Sequence, residues 1–302
     1  MLSSAEKAAV LIEALPYMQR FAGKTVVIKY GGNAMINAEL KRSVIQDIIL
    51  MKYIGLRPVV VHGGGPEITA LLKQLGKQST FVSGLRVTDE ETVGVAEMVL
   101  VGKVNTELVS LLNHQGAKAV GLNGKDADLI VAEKHLAKVY ENGSEKEVDI
   151  GFVGDVATIN PGLLWTLINQ GYIPVIAPIG VGADGESYNI NADYVAGEIA
   201  GALQAEKLLL LTDVEGIYRD YHDKSTFIST LTFDEAEKLI KEGSIEGGMI
   251  PKVEACTRAL SGGAAKAHII DGRLMHSLLL EVFTDTGIGT EVVRGRGKQD
   301  EC

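Results

Sequence analysis

The sequence predicts an α/β protein in which a mainly parallel sheet is covered by helices on both faces. Two observations predict it. Short, continuously apolar runs alternate with longer amphipathic stretches along the 302 residues, the pattern of strands buried on both sides and joined by crossover helices. Glycines, 35 in all, include a pair and a triplet at the ends of the first two runs, where a strand must turn sharply into a helix.

The elements follow in order. Ser3 and Glu6 make a capping box that opens a helix with Leu11, Leu15 and Met18 along one stripe. Pro16 is expected to kink it, because proline lacks an N–H and crowds the preceding turn. Strands are expected at residues 25–29, 58–62, 118–122, 174–178, 207–212 and 267–271. Helices are expected at 38–54, 67–75, 89–113, 161–169, 192–203 and 253–260. Residues 128–155 break this rhythm, and the Asn142-Gly143-Ser144 segment reads as the turn of a hairpin on one edge. No linker separates two domains, and a lobe boundary is placed near residue 200.

Composition narrows the function. The chain carries 29 basic and 39 acidic residues, a formal charge of −10, which disfavours a sequence-independent nucleic-acid binder and an anionic membrane surface. No apolar run approaches the ~20 residues of a membrane span. The N-terminal segment has no basic region, and Glu13 interrupts its apolar stretch, so a secretory signal is not expected. Cys256 and Cys302 cannot build a disulfide framework and lack metal-ligand spacing. A reducing, cytoplasmic compartment is expected.

The glycine loops carry the chemistry. Lys29-Tyr30-Gly31-Gly32-Asn33-Ala34 follows the first strand, and His62-Gly63-Gly64-Gly65-Pro66-Glu67 follows the second. Backbone amides at such junctions can approach an anion closely, and the next helix adds the positive end of its dipole. His62 reads as a structural histidine. A lipase oxyanion hole would require a G-x-S-x-G elbow, which is absent. Walker A fails because Met18 stands where its first glycine belongs, and a dinucleotide fingerprint fails at Ile68. Two anion-binding loops on neighbouring strands, one with a lysine, point to a phosphate bridging them.

Six segments in order then carry a specific resemblance: Lys29 to Met35, Val61 to Pro66, Gly84-Leu85-Arg86-Val87-Thr88, Asn189-Ile190-Asn191-Ala192-Asp193, Leu211 to Gly216, and Gly247-Gly248-Met249-Ile250-Pro251-Lys252. Over residues 24–295 the sequence resembles the N-acetylglutamate kinases of the amino-acid kinase family, in their arginine-sensitive form. The resemblance implies a three-layer α/β/α sandwich around a mainly parallel central sheet. It divides the chain into a kinked helix (1–22), an acetylglutamate-binding and dimerisation lobe (23–200), and a lobe for ATP and arginine (201–302). It implies transfer of the γ-phosphoryl of ATP to the side-chain carboxylate of N-acetyl-L-glutamate, the second step of arginine biosynthesis by the acetylated route.

A carboxylate nucleophile is already ionised at neutral pH, so such a reaction needs positioning and charge neutralisation rather than a general base. The resemblance assigns Lys29 and Lys252 to the phosphoryl group and Asp193 to orienting them. Gly31, Gly32, Gly63 and Gly248 are assigned to ATP and its phosphates, with Thr212, Asp213 and Tyr218 lining the nucleotide site. Gly64, Gly65, Arg86 and Asn189 are assigned to acetylglutamate, the guanidinium matching a carboxylate in bidentate fashion. Asn191 reads as a helix cap. Mg²⁺ is expected through ATP oxygens, with no metal site of the protein's own and no tightly bound cofactor. The family further implies a homohexamer, a trimer of dimers laced by the N-terminal helices. Its arginine site here comprises Tyr17, His268, Glu281 and Gly287, the last two within the stretch 281–290. Members from photosynthetic lineages bind the PII signalling protein, a partner this sequence leaves open. The basic piece Arg294-Gly295-Arg296-Gly297-Lys298 reads as a frayed end. An aspartate or carbamate kinase, or a non-catalytic arginine-binding regulator, are the competing readings; a dehydrogenase lacks its fingerprint.

Overall fold

The computed structural model describes residues 3–141, 144–284 and 287–295. Asn142 and Gly143 of the expected turn, Asp285 and Thr286 of the C-terminal stretch, Arg296 to Lys298 of the basic piece, and Cys302 lie outside them.

Helix α1 (Ser4–Phe21) opens on the expected capping box: the Glu6 amide donates to Ser3 Oγ at 3.3 Å and the Ser3 amide donates to Glu6 Oε2 at 2.7 Å. Pro16 lies inside the helix. Phe21 is buried, whereas Val10, Leu11, Ile12 and Leu15 face solvent.

Twelve of the sixteen strands among the described residues form the two main sheets: β1 (Thr25–Tyr30), β2 (Arg57–His62), β3 (Ala119–Leu122), β4 (Ile130–Glu141), β5 (Ser144–Ile159), β6 (Ile173–Ile176), β7 (Ile179–Val181), β8 (Ser187–Ile190), β9 (Lys207–Thr212), β10 (Thr230–Thr232), β11 (Lys266–Asp271) and β12 (Thr290–Val293). Eight form the central sheet in the order β10-β12-β11-β9-β1-β2-β6-β3. Its pairings are parallel except β11 with β12. Every residue of β1, β6 and β9 is buried, as continuous apolar strands require.

The period of two splits the core into two layers. Val26 and Ile28 of β1 face one cluster with Leu209 and Leu211; Val27 faces the other with Leu208 and Leu210. The first layer is closed by helices α2 (Ala38–Tyr53) and α3 (Gly65–Gln74), through Ile45, Ile48, Ile68 and Leu72. The second is closed by α4 (Ala192–Ala202) and α5 (Ile250–Gly262), through Val195, Ile199, Val253 and Leu260. This is the expected three-layer α/β/α arrangement.

Three features depart from the sequence reading. The stretch expected as one helix at 89–113 is three pieces: α-helices Glu90–Glu97 and Thr106–His114 flank a π-helix, Met98–Asn105. The wider π turns bring Leu100 against Gly64 and Asn105 against His62. The 128–155 excursion is a hairpin, β4 against β5, but it leaves the central sheet and closes with β7 and β8 into a four-stranded ring. Near the C-terminus, strands β10 and β12 and the helices Phe233–Lys241 and α6 (Ser277–Phe283) were not expected. The strands are three and four residues long, too short for a readable alternation. Helix α6 starts from His276 at φ +59° without a side-chain cap of its own, so its start carries no signal.

Candidate active site

Strands β1 and β2 pair in register, Lys29 beside Val61 and Tyr30 beside His62, so the two glycine loops leave the sheet side by side. The Gly63 amide donates to the Tyr30 carbonyl at 2.8 Å and ties them together. That N–H, expected on a phosphate, is engaged with protein. The amides of Gly64 and Gly65 stand at the start of α3, where helix geometry leaves them without intrahelical partners. His62 is fully buried, with Nδ1 2.8 Å from the Gly63 carbonyl and Nε2 3.1 Å from the Asn105 amide nitrogen. The Asn105 amide also donates to the Val175 carbonyl, so Nε2 accepts and Nδ1 donates. Burial lowers the His62 pKa to about 4. This histidine fastens a loop and is neutral at physiological pH.

Between the glycine loops and the opposite helices lies a charge cluster. Asp193, in the first turn of α4, forms an ion pair with Lys29 Nζ through one oxygen and accepts from Lys252 Nζ on the other, each at 2.9 Å. Asn191 caps that helix, its side chain accepting from the Asp193 amide at 2.8 Å. Burial by itself raises the Asp193 pKa, but the two ammonium groups outweigh it and bring the value down to about 2. The carboxylate is therefore ionised at any working pH. Lys29, on a strand buried throughout, folds back over Gly31, and Lys252 enters from the first turn of α5. Two cations from opposite sides of the fold are held at one point by one anion, the arrangement suited to neutralising charge on a transferring phosphoryl.

A cavity opens on each side of this cluster. The larger, about 850 Å³, is lined by Thr212, Asp213, Tyr218, Gly248 and Lys252, together with Ile245 and Met249. The Thr212 hydroxyl donates to the Val214 and Ile270 carbonyls, and the Asp213 carboxylate stands against Gly32. The Tyr218 hydroxyl bonds Glu215, and Lys224 Nζ lies 4.3 Å from the Tyr218 ring centre. The smaller, about 190 Å³, is lined by Gly63, Gly64, Gly65, Arg86, Asn189 and Ala192, the residue before Asp193. Arg86 Nη2 donates to the Gly65 carbonyl at 3.0 Å and to Thr69 Oγ1 at 2.8 Å, Nη1 bonds Ser79, and the guanidinium lies 4.8 Å from the Phe81 ring centre. Those bonds use three of five donors. Thr69 and Ser79 had no signal in the sequence; they matter only through the side chain they hold.

A third cavity, about 360 Å³, lies at the other end of the sheet, beneath α1. Tyr17, His268, Glu281 and Gly287 line it, so all four residues assigned to an arginine site meet there. Glu281 Oε1 is 2.8 Å from His268 Nδ1, and Oε2 accepts from the Ile288 amide at 2.9 Å. Burial raises the Glu281 pKa, but its bond to His268, that residue's charge, the amide and Lys207 together lower it below the usual value. Gly287 has φ +59°, and a Cβ there would lie 2.9 Å from Glu281 Oε2. Lys207, Lys266, Glu291 and Arg20 also line the cavity and were missed. The signal was available for Lys207, a lone charge opening the apolar strand β9. Among the described residues no group of three or more His, Cys, Asp or Glu could hold a metal ion.

The model of the amino acid kinase family matches residues 24–271. The chain belongs to the amino acid kinase family. Over 294 residues this amino acid kinase is 61% identical to the acetylglutamate kinase of Moorella thermoacetica, covering 97% of this chain and 99% of that one. It also resembles, at 28% identity and a TM-score of 0.81, the N-acetylglutamate synthase of Neisseria gonorrhoeae solved with coenzyme A and N-acetyl-glutamate. The same synthase solved with coenzyme A and L-arginine matches at 26% identity and a TM-score of 0.77. These matches take in 96% and 95% of this chain, which spans 64% and 65% of the synthase chains.

Proposed function

We propose that this amino acid kinase transfers the γ-phosphoryl of MgATP to the side-chain carboxylate of N-acetyl-L-glutamate, giving N-acetyl-L-glutamyl 5-phosphate and ADP in the second step of arginine biosynthesis. The observation that carries the reading is the Lys29–Asp193–Lys252 cluster placed between two cavities. A carboxylate oxygen of acetylglutamate attacks the γ-phosphorus, and the bond to the β–γ bridging oxygen breaks with its electron pair leaving on ADP. Lys29 and Lys252 neutralise charge on the transferring group, Asp193 orients both, and amides of Gly31, Gly32 and Gly64 donate to phosphoryl oxygens. Arg86 and Asn189 hold the α-carboxylate end of acetylglutamate. Thr212, Asp213, Tyr218 and Gly248 line the nucleotide cavity, and magnesium enters with ATP. The near-full-length likeness to an acetylglutamate kinase supports this acceptor over aspartate or carbamate.

The same proposal includes regulation. Arginine binds in the Tyr17–His268–Glu281–Gly287 cavity, its guanidinium on Glu281, and inhibits. The exposed apolar side of α1, with Leu11 64% and Ile12 67% exposed, pairs with other copies to build a trimer of dimers. Residues 23–200 form the acetylglutamate lobe and 201–302 the nucleotide lobe. No helix among the described residues is long and apolar enough to cross a membrane, and the enzyme works in the cytoplasm. Hydroxylamine trapping of an acyl phosphate from acetylglutamate and MgATP, with aspartate, glutamate and carbamate as alternatives, tests the reaction. Absence of a trapped product from acetylglutamate would overturn it and leave the arginine-binding regulator as the reading.

A further inference from the structure

Helices α4 and α5, which carry Asp193 and Lys252, run side by side in the same direction, and both begin at the candidate active site. Their partners advance together along the two chains. Asp193 meets Lys252 at 2.9 Å, the Tyr194 hydroxyl donates to Glu254 Oε2 at 2.5 Å, and Arg258 Nη1 donates to Glu198 Oε1 at 3.2 Å. Between these rungs the backbones touch. A Cβ on Gly197 would lie 2.5 Å from the Ala255 carbonyl oxygen, and one on Gly201 would lie 2.9 Å from Gly262 Cα.

Contact between small residues fixes how far apart two helices lie, but it offers no large side chain to stop one sliding along the other. A slip of one residue moves a side chain about 1.5 Å along the axis, enough to take the Lys252 ammonium out of hydrogen-bonding range of Asp193. Axial register is shared between the seating of Val195, Ile199, Val253 and Leu260 in the core and the polar rungs, which join the two helices side chain to side chain near the site. Arg258–Glu198 is about one-third exposed on both sides and holds weakly. Tyr194–Glu254 is the short, part-buried rung. The Arg258 guanidinium, 4.5 Å from the Tyr194 ring centre, closes over it.

We propose that Tyr194 and Glu254 are positioning residues for phosphoryl transfer, holding α5 in register with α4 and thereby holding the Lys252 ammonium beside Asp193. This rests on the reading of Lys252 as acting on the phosphoryl group. Neither residue lines the nucleotide or the acetylglutamate cavity, so their effect reaches the reaction through the placement of Lys252 and is read first in turnover.

The test is steady-state kinetics of full-length Tyr194→Phe, Glu254→Gln, Glu254→Ala, Lys252→Ala and the Tyr194→Phe/Lys252→Ala double variant, followed by trapped acyl phosphate, with Tm measured for each. Tyr194→Phe is expected to lower kcat about ten-fold, a loss in keeping with a misplacement near 1 Å, with KM for ATP and acetylglutamate each within about two-fold. Glu254→Gln, which keeps an acceptor, is expected to retain most of the turnover that Glu254→Ala loses. In the Lys252→Ala background, Tyr194→Phe is expected to cost nothing further. Additive losses in the double variant overturn the proposal, as does full turnover by Tyr194→Phe below its Tm, whatever that Tm is. Full turnover by Lys252→Ala overturns the reading of Lys252 and the positioning role with it. A crippled Lys252→Ala beside an unaffected Tyr194→Phe overturns the positioning role alone.

Discussion

The Lys29 ammonium occupies the space in which a side chain on Gly31 would begin: a Cβ there would lie 2.8 Å from Nζ. The backbone at Gly31 is not left-handed, and the obstructing atom is the tip of a flexible side chain. An added methyl therefore displaces the lysine rather than the chain. Gly31→Ala is expected to keep Tm within a few degrees while lowering kcat by at least about ten-fold, since the displaced ammonium leaves Asp193. Kinetics and a thermal melt on the same preparation check it; wild-type turnover would show that the close approach is incidental.

Arg86 gives a binding prediction. Its guanidinium is fixed by Gly65, Thr69 and Ser79 at the wall of the smaller cavity. Arg86→Ala is expected to raise KM for acetylglutamate by roughly 10–100-fold, the loss of a charge-assisted bidentate contact, with KM for ATP little changed. Arg86→Lys is expected to restore little, because a single ammonium cannot reproduce the fork. An effect confined to ATP would contradict the placement.

His62 predicts a pH dependence of stability. In the unfolded chain it takes up a proton near pH 6.5, whereas in the fold it stays neutral down to about 4. Between those values the unfolded state holds more protons, so stability falls as pH falls. The contribution is complete above about pH 6.5 and is lost towards pH 4. Urea unfolding of wild type and His62→Asn at pH 7.5 and 5 checks this. The variant is expected to be less stable at pH 7.5 but to lose less on acidification; equal losses would show that His62 does not titrate in this way.

Regulation yields two linked predictions. Glu281→Gln is expected to raise the arginine concentration for half-inhibition about ten-fold or more, because it removes the charge facing a guanidinium. Deletion of residues 1–20, which takes away Tyr17 and the exposed stripe of α1, is expected to reduce both oligomer mass and arginine response. Light scattering and inhibition curves measure them, and a truncated protein that stays hexameric and arginine-sensitive would refute the role of α1.

How much of this was legible in the sequence depended on the range of the signal. Strands β1 and β9, each built on an unbroken run of three or four apolar residues, and the capping box at Ser3 announce themselves within a few residues. The glycine loops were visible because consecutive glycines are conformationally expensive. What lay hidden was non-local. The π-helix at Met98–Asn105 exists because Leu100 must meet Gly64 and Asn105 must meet His62, and no window of sequence contains both ends of those contacts. Helix α6 starts on a left-handed His276 whose backbone amide donates to Ser43 Oγ, 233 residues away. Gly63 shows the same limit within the site: its amide was free for phosphate on paper and is bonded to Tyr30 in the fold.

The parallel run of α4 and α5 has an electrostatic consequence. Each helix start carries roughly half a positive charge, and parallel packing puts two such ends together, beside Lys29 and Lys252 with Asp193 between them. Antiparallel helices would have cancelled their fields; these add. The two helix starts thus add to the charge of Lys29 and Lys252 at this point of a protein of net charge −10, and they favour an anionic phosphoryl group there. Nucleotide binding should then stiffen the helix pair along its whole length, with the tension between like poles relieved by the substrate's own charge.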